Sequence, residues 1–481
     1  MTRSLAGRFQ HPCWPGRGRI GALMLLALGA SSFGGLLAAG EATIVRHRLS
    51  NGATLVAVSD PRWPLVHLEI RITPGALADP AGQPGAAALT AATLMESAVG
   101  GRRLSDVLDD YGTEVTVQPT WKEVRITAQC LSPVFPEVFK AIATALTRPS
   151  FAAEPLSRAR DGLMVRLRSE AQRNAATADR EFRYLLYQGE RLGDPSVGTQ
   201  LGLSGLSPQH VSAFYDRHYY GSGLTVLVAG HFDLIAVKRM AEEEFGRLRA
   251  RPAAWRDVAP TRDAEAIRQS DTTTSTVKGG FTWFIERDIT PPQVRLGQIV
   301  PDHAPEDDVL AKMLNHIFGG AVNSRLMKIF REQRAMTYGI GSVLPEKDAT
   351  DPFMIWTFTE GPKLRAMIKG LRVEVARLRD EPVSADELNA ARQALRNQFL
   401  YAFETAPGVG SLALEYPGVG IEQMKREYLA SLEAVTPARL HWLARALIDS
   451  ENLNLLVVGR AAEVTPVLEQ LGDYHKMPST F

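Results

Sequence analysis

The sequence has little cysteine, and what it has excludes a disulfide-stabilised fold. Two of its 481 residues are cysteines. Cys13 lies in an N-terminal apolar segment, so Cys130 is alone in the rest of the chain, within the alternating run EVRITAQCL. We therefore expect no intramolecular disulfide, and we expect Cys130 to occupy a buried position on a strand.

The sequence also lacks an excess of charge of either sign. It has 54 basic and 53 acidic residues, and its formal net charge is +1. Such a balance gives no field that would attract nucleic acid or an anionic membrane surface. The apolar content of 45% is that of a folded protein, and the length predicts two or more domains.

Long hydrophobic runs are absent except near the N-terminus. There, four arginines precede the segment IGALMLLALGASSFGGLLAAG, which ends in small residues at Ala38-Ala39-Gly40. These features indicate a secretory signal peptide over residues 1–40 and a periplasmic protein, with an uncleaved membrane anchor as the alternative. No later stretch approaches the roughly 20 apolar residues that a membrane span requires.

Motifs of several enzyme classes are missing as well. Beyond the signal segment, no two histidines lie within four residues of each other, so no helix presents a histidine pair to a metal. There is no nucleophile elbow of the G-x-S-x-G type and no P-loop. Gly408-Val-Gly410 resembles part of a dinucleotide fingerprint, but no strand is predicted before it, and we do not assign that function.

An internal repeat is the main organising feature that is present. LSPQHVSAFYDRHYYGSGLTVLVAG and VTPARLHWLARALIDSENLNLLVVG each predict a Ser/Thr-Pro helix start, an amphipathic helix, a turn and an apolar strand. The second segment lies 229 residues after the first. Long charged helices are predicted in both halves, at Glu154–Arg173 and Ser384–Tyr401. A glycine pair follows an earlier helix in each half and is expected to end it, at Gly100-Gly101 and Gly319-Gly320.

The repeat predicts an α+β fold of two homologous domains, each a mixed, largely antiparallel sheet covered by helices. We place the N-terminal domain at residues 41–247 and the C-terminal domain at 277–481. Between them, residues 248–276 are rich in Pro, Ala, Thr and charge without periodicity, which indicates a linker.

Two segments bear on chemistry. GQPGAAALTAATLMESAVGG, residues 82–101, predicts a helix whose first turns are filled with alanine. HIFGGAVNSRLMKIFREQRAMTYGIGSVL, residues 316–344, holds Arg331 and Tyr338 seven residues apart, with a helix end and a strand start expected between them. A guanidinium and a phenol are suited to donating hydrogen bonds to a peptide carbonyl or a developing oxyanion. In the alternative interpretation the arginine caps the helix and the tyrosine packs.

Together with LSNGATLVAVSDPRWPLV and GALADPAGQPGAAALTAA, these segments resemble the insulinase/pitrilysin family of zinc peptidases, in its two-domain form related to mitochondrial processing peptidase. The similarity runs from about Ala42 to Leu471. In active members the alanine-rich helix carries the inverted motif His-x-x-Glu-His, which binds zinc and supplies the general base. Those three positions fall here on Ala88, Ala91 and Ala92.

The resemblance also has consequences for the other site residues. The family's third zinc ligand, a glutamate, falls near Arg166, with Glu170 within alignment error. This implies a degenerate motif and no metal in this chain, and an arginine there would oppose a cation. The arginine and tyrosine with which the family's C-terminal domain contacts substrate match Arg331 and Tyr338.

Some relatives divide these two elements between two proteins. The resemblance therefore implies a zinc-less subunit, inactive alone and without a cofactor of its own, that pairs with a zinc-bearing homologous subunit to degrade or process peptides. Homodimers of the isolated chain are possible. Two alternatives stay open: a structural or peptide-binding protein without a catalytic role, and a homodimeric peptidase with an unrecognised metal site.

Overall fold

The computed structural model describes residues 42–188, 190–251, 280–347 and 350–480. The predicted signal peptide and nearly all of the predicted linker lie outside these residues. Within this part of the chain, no helix is long and apolar enough to cross a membrane.

The strands form two six-stranded sheets and one short hairpin. The strands are β1 Thr43–Arg48, β2 Thr54–Ser59, β3 Leu65–Ile72, β4 Ala98–Val99, β5 Arg102–Arg103, β6 Val115–Pro119, β7 Val124–Leu131, β8 Leu224–Gly230, β9 Thr282–Glu286, β10 Gln293–Gln298, β11 Ile340–Val343, β12 Phe353–Phe358, β13 Asn454–Gly459 and β14 His475–Met477. The first sheet has the order β1-β2-β8-β3-β7-β6, the second has the order β14-β9-β13-β10-β12-β11, and β4 pairs with β5.

The α-helices are α1 Ala86–Met95, α2 Leu104–Asp109, α3 Phe135–Thr147, α4 Ala153–Ala171, α5 Asn174–Leu186, α6 Gln200–Gly205, α7 Pro208–His218, α8 Leu234–Phe245, α9 Asp308–Asn315, α10 Gly361–Asp380, α11 Ala385–Tyr401, α12 Ala406–Glu415, α13 Ile421–Glu433, α14 Pro437–Leu447 and α15 Ala461–Leu468. Two π-helical turns span His316–Gly320 and Met327–Gln333. Short 3-10 turns span Ala76–Ala78, Ser132–Val134, Arg191–Gly193, Gly221–Gly223, Pro305–Asp307 and Ala402–Glu404.

The repeat detected in the sequence corresponds to α7–β8 and α14–β13. Each helix begins after a hydroxyl cap: Ser207 Oγ accepts the His210 amide hydrogen, and Thr436 Oγ1 accepts that of Arg439. β8 lies parallel to β2 and β13 lies parallel to β9, while most other pairs in the two sheets are antiparallel. The predicted α+β fold with two related, helix-covered sheets is confirmed. The exact domain boundaries stay a prediction.

Two local predictions have different outcomes. Cys130 is confirmed as a buried strand residue on β7, where burial raises the pKa of its thiol to about 11. The prediction that Gly100-Gly101 ends the first helix is wrong, because α1 ends at Met95. The two glycines instead form the turn of the β4–β5 hairpin, where both have positive φ, as a two-residue turn of this type requires.

Each sheet packs one face on helices of its own half and receives a helix of the other half on its second face. α12, from the second half, covers β2 and β8 by packing Val409 and Ala413 on apolar side chains of those strands. A Cβ added to Gly410 would lie 2.8 Å from a methyl group of Leu227, so this glycine permits close contact. Gly408-Val-Gly410 is therefore part of a packing helix, which agrees with its exclusion as a dinucleotide motif.

α5, from the first half, makes the reciprocal contact on the second sheet. Phe182 and Leu185 of α5 pack with Trp283, Ile285 and other apolar side chains of β9 and β13. Within the same contact lies Arg295 of β10, which is only 1% exposed.

The buried Arg295 guanidinium is satisfied across the two halves. Its Nε donates to Asp179 Oδ1 of α5 at 2.5 Å, and its Nη2 donates to the Ala175 carbonyl at 2.9 Å. Its Nη1 donates to the carbonyls of Val294 and Thr357 in the second sheet. α5 and α12 thus join the two halves by apolar packing, and α5 also provides the ion-pair partner of the buried Arg295 guanidinium.

Candidate functional site

The alanine-rich helix α1 begins at a position that only glycine fits. Gly85 has φ +101, and a Cβ there would lie 2.7 Å from a methyl group of Leu203. The Asp79 carboxylate accepts the amide hydrogens of Gly85 and Ala87 at 2.6 and 2.8 Å, which supplies the cap that Gly85 lacks. Burial raises the pKa of Asp79 to about 6.

The three positions that match the zinc motif lie in the core of the first half. Ala88 and Ala91 are 0% exposed, and Ala92 is half-buried against the same core. α1 packs there on α4 and α7. The polar groups of this helix are satisfied within it, since the hydroxyls of Thr90 and Thr93 donate to carbonyls four residues earlier. Ala88 and Ala91 are therefore enclosed by close packing, whereas Ala92 is partly accessible to solvent.

Arg166 lies on α4, the helix that packs on α1. Its guanidinium is partly exposed, and its Nε donates to Glu170 Oε1 at 3.1 Å. Arg173 Nη2 lies 3.9 Å from the same Glu170 oxygen. The negative charge of the Glu170 carboxylate is therefore compensated by the guanidinium groups of Arg166 and Arg173. In the described ranges, no three His, Cys, Asp or Glu side chains are grouped as a metal would require; the absence of zinc from this chain stays a prediction.

Arg166 and Glu170 line a cleft of about 360 Å³ that is also lined by the second half. Trp121 contributes to it from the first half, and Val343 of β11 and Met354 of β12 contribute from the second. The cleft beside Arg166 therefore reaches the second sheet at β11 and β12.

Much of the segment around Arg331 serves the fold. A Cβ on Gly319 would lie 2.7 Å from the Ser342 backbone nitrogen, so the π-helical turn His316–Gly320 packs directly on β11 only because Gly319 has no side chain. Arg325 forms a bidentate ion pair with Glu387 of α11, at 2.5 and 2.9 Å. Gly319 and Arg325 therefore have structural roles, which explain why these two residue types occur in this segment.

Arg331 and Tyr338 are different, because the fold does not use their side chains. Arg331 is exposed near the end of the π-helical turn Met327–Gln333, and Tyr338 is 85% exposed. Within the described part of the chain, neither side chain makes a hydrogen bond or an ion pair. The helix ends between them as predicted, but the strand does not begin there, since β11 starts at Ile340, after Tyr338.

The turn between them contains a strained residue. Ala335 has φ +46, and the amide hydrogen of Met336 bonds back to the Phe330 carbonyl at 2.8 Å. The left-handed conformation is unfavourable for residues with a Cβ. π-helical turns occur often at functional sites, and here such a turn ends beside the two exposed side chains.

We expect Ala335→Gly to raise the free energy of unfolding by about 0.5–1 kcal/mol, because glycine adopts positive φ without strain. Urea denaturation of the two proteins measures the difference. Ala366→Gly, at an exposed position within α10, is the matched control and should lower stability by about 1 kcal/mol. A loss of stability in Ala335→Gly would contradict the strain argument.

Sequence analysis did not identify an aromatic surface beside Tyr338. The indole of Trp356 on β12 lies across β11, where a Cβ added to Gly341 would be 2.7 Å from the ring and one added to Gly339 would be 3.6 Å from it. The Phe358 ring lies 3.4 Å from that Gly339 position. We call Trp356, Phe358, Gly339 and Gly341 the aromatic platform. In the sequence, the only sign of this surface is that Gly339 and Gly341 alternate in TYGIGSV. This segment pairs with β12, whose sequence is FMIWTF.

Parts of the sequence match a known protein family and several curated proteins. Residues 205–395 match the model of the "Peptidase M16 inactive domain". An uncharacterized zinc protease of Rickettsia felis is 23% identical over 304 residues, which is 63% of this chain and 69% of the relative.

Solved structures share the fold over most of the chain. The peptidase M16 inactive domain from Pseudomonas fluorescens superposes with a TM-score of 0.73 at 19% identity, covering 87% of this chain and 98% of that one. A chain of complex III2 from Candida albicans superposes with a TM-score of 0.69 at 15% identity, covering 90% and 98%. At these identities the likeness of the structures concerns the fold alone.

Proposed function

Because the predicted resemblance to the insulinase-type M16 peptidases is confirmed by sequence and by fold, we propose that this chain is the non-metal-binding subunit of a heterodimeric zinc peptidase. A homologous partner carries the zinc site. This chain contributes Arg331 and Tyr338 to the binding of peptide substrates. The predicted signal peptide would direct this chain to the periplasm, and the partner would need an export signal of its own.

The observation that carries the proposal is the exposure of Arg331 and Tyr338. Other residues of the same segment, such as Gly319 and Arg325, are engaged in packing or in an ion pair. Tyr338 instead presents 85% of its surface to solvent. An exposed aromatic side chain and an exposed arginine that the fold leaves unused are typical of a binding surface.

The chemistry follows from the donors that the two side chains offer. The Arg331 guanidinium has five N–H groups in a planar fork, and the Tyr338 hydroxyl is a single O–H donor. Both suit a peptide carbonyl whose oxygen gains negative charge during attack by water. In the partner, zinc would supply the activated water. The outer edge of β6 ends the first sheet, and this partly exposed strand offers backbone groups to an extended peptide.

The test is peptide hydrolysis by the chain alone and mixed with a zinc-motif relative exported by the same cell. We expect no hydrolysis by the chain alone, hydrolysis by the mixture, and a loss of about 100-fold in kcat/KM of the mixture for Arg331→Ala, the usual cost of one donor to an oxyanion. Lys328→Ala, at another exposed cation of the same π-helical turn, is the matched control and should leave the rate unchanged.

Gel filtration of each mixture shows whether the variant still assembles. A mixture that assembles but hydrolyses peptides equally well with and without Arg331 would leave a structural or peptide-binding role. Stoichiometric zinc and unaided hydrolysis in the isolated chain would instead favour a homodimeric peptidase.

A further inference from the structure

The cleft beside Arg166 combines arginine with apolar side chains. The first half contributes Arg166 of α4, and Arg180 and Arg183 of α5. The second half contributes the apolar side chains of Val343 and Met354. The volume of about 360 Å³ lies near the lower end of the range for small-ligand sites, so the cleft suits roughly one or two residues of a peptide and not a long segment.

Two of the carboxylates that line the cleft are already matched by arginine. Nη2 of Arg183 donates to Asp351, and Nε of Arg295 donates to Asp179. Arg295 does not line the cleft, so the charge of Asp179 is compensated from outside it. These two carboxylates therefore do not offset the charge of the other arginines of the cleft.

The third carboxylate, that of Glu170, lies between two arginines. Nε of Arg166 donates to Glu170 Oε1 at 3.1 Å, and Nη2 of Arg173 lies 3.9 Å from the same oxygen. Two guanidinium charges therefore meet one carboxylate charge, which leaves one positive charge in excess at this side of the cleft.

Arg180 provides a further cation in the wall of the cleft. Burial lowers the pKa of its guanidinium, an effect that the carboxylates of Glu170 and Glu181 oppose and the cation of Arg287 increases. Arginine stays charged in proteins in spite of such a shift. A negatively charged ligand in the cleft would therefore be attracted by this half-buried cation.

Arg166 keeps unused hydrogen-bond donors. Its Nε is bonded to Glu170, but within the described part of the chain neither of its Nη groups makes a hydrogen bond. The side chain is 42% exposed, so a ligand can reach it from solvent. The planar fork of a guanidinium matches the two oxygens of a carboxylate. Arg166 is therefore the cleft residue best suited to bind one.

From these contacts, and on the basis of the proposed function, we propose that the cleft binds a carboxylate of the peptide, with Arg166 as the residue that recognises it. The C-terminal carboxylate and the side chain of an aspartate or glutamate offer the same chemistry. Val343 and Met354 provide apolar contact for the adjoining part of the ligand. Glu170 competes with the ligand for Arg166 and limits the affinity.

The experiment is direct binding of fluorescently labelled peptides to the full chain as processed by the expressing cell, measured by fluorescence anisotropy. The parent peptide has an internal glutamate and a free C-terminus. One derivative has a C-terminal amide, and another has glutamine in place of the glutamate. Loss of the recognised carboxylate should weaken binding about tenfold, as expected for a charge-assisted hydrogen bond, and the derivative that shows the loss identifies its source.

Four variants locate the effect. Arg166→Ala should weaken binding of the parent peptide about tenfold and abolish its advantage over the neutral derivative. Arg166→Lys keeps the charge without the fork and should lose less. Glu170→Gln removes the competing carboxylate and should tighten binding. Arg168→Ala, at an exposed arginine of the same helix that does not line the cleft, is the matched control and should behave as the wild type.

Equal binding of the three peptides by the wild type overturns the site. A carboxylate preference that persists in Arg166→Ala, or that Arg168→Ala removes equally, overturns it as well. The proposed function is judged separately. A preference that depends on Arg166 without Arg331-dependent hydrolysis supports the cleft site and rejects the half-enzyme, whereas Arg331-dependent hydrolysis without the preference does the reverse.

Discussion

Restoring the zinc motif, by the triple substitution Ala88→His, Ala91→Glu and Ala92→His, is expected to unfold the chain and not to create a zinc peptidase. Ala88 and Ala91 are 0% exposed and lie where α1 packs on α4. Larger side chains there overpack the core, which typically costs about 1–3 kcal/mol each. The new imidazole and carboxylate would also be buried without partners. We expect a combined loss of at least about 4 kcal/mol, a large part of the stability of an ordinary domain.

Urea denaturation with and without added zinc measures this effect. Zinc should give little recovery, because the residue predicted at the third-ligand position is the Arg166 cation, which forms an ion pair with Glu170. Ala92→His alone, at the half-buried position, is the control and should cost about 1 kcal/mol or less. A folded triple variant that binds one zinc ion would show that the packing is adaptable and that the site is only dormant.

The second large effect concerns the buried ion pair between the halves. Asp179→Ala is expected to lower the free energy of unfolding by about 3 kcal/mol, because it leaves the guanidinium of Arg295 buried without its counter-ion. Asp179 itself is half-exposed, and three carbonyls still accept hydrogen bonds from Arg295, which keeps the loss at the lower end of the range for such pairs.

Arg295→Met should cost less than Asp179→Ala, although it removes the more deeply buried partner. Methionine fills similar space without a charge, and Asp179 can be solvated once the arginine is absent. Thermal and urea unfolding of the two variants give the order directly. If Arg295→Met were the more destabilising change, the arginine would stabilise the fold through its carbonyl bonds and not through the ion pair.

The parts of the fold that the sequence predicts are those with local signals. Ser207 and Thr436 mark helix starts by short-range capping, and the alternation around Cys130 marks a strand. The alanine-rich run after Gly85 predicts a helix, which α1 confirms. Such features depend on neighbours within a few residues, so a short segment of sequence is sufficient to predict them.

The features that sequence analysis missed depend on contacts between distant segments. The apolar face of α5 indicates burial, but not that the helix crosses to the other half and buries Arg295. The Arg325–Glu387 pair joins residues 62 positions apart. Gly341 and Trp356 meet only because β11 pairs with β12 in one register. A one-residue shift of that register would place the glycine on the other face.

The exchange of α5 and α12 has a consequence for how this chain could evolve. The half in which the resemblance predicts a degenerate metal motif provides the helix that covers the apolar face of the other sheet. Deleting α5 would expose Trp283, Ile285 and their neighbours to water. It would also leave the buried Arg295 guanidinium without its ion-pair partner. Any selection that preserves the fold of the second half therefore also preserves α5, and the first half is retained as a scaffold for that helix.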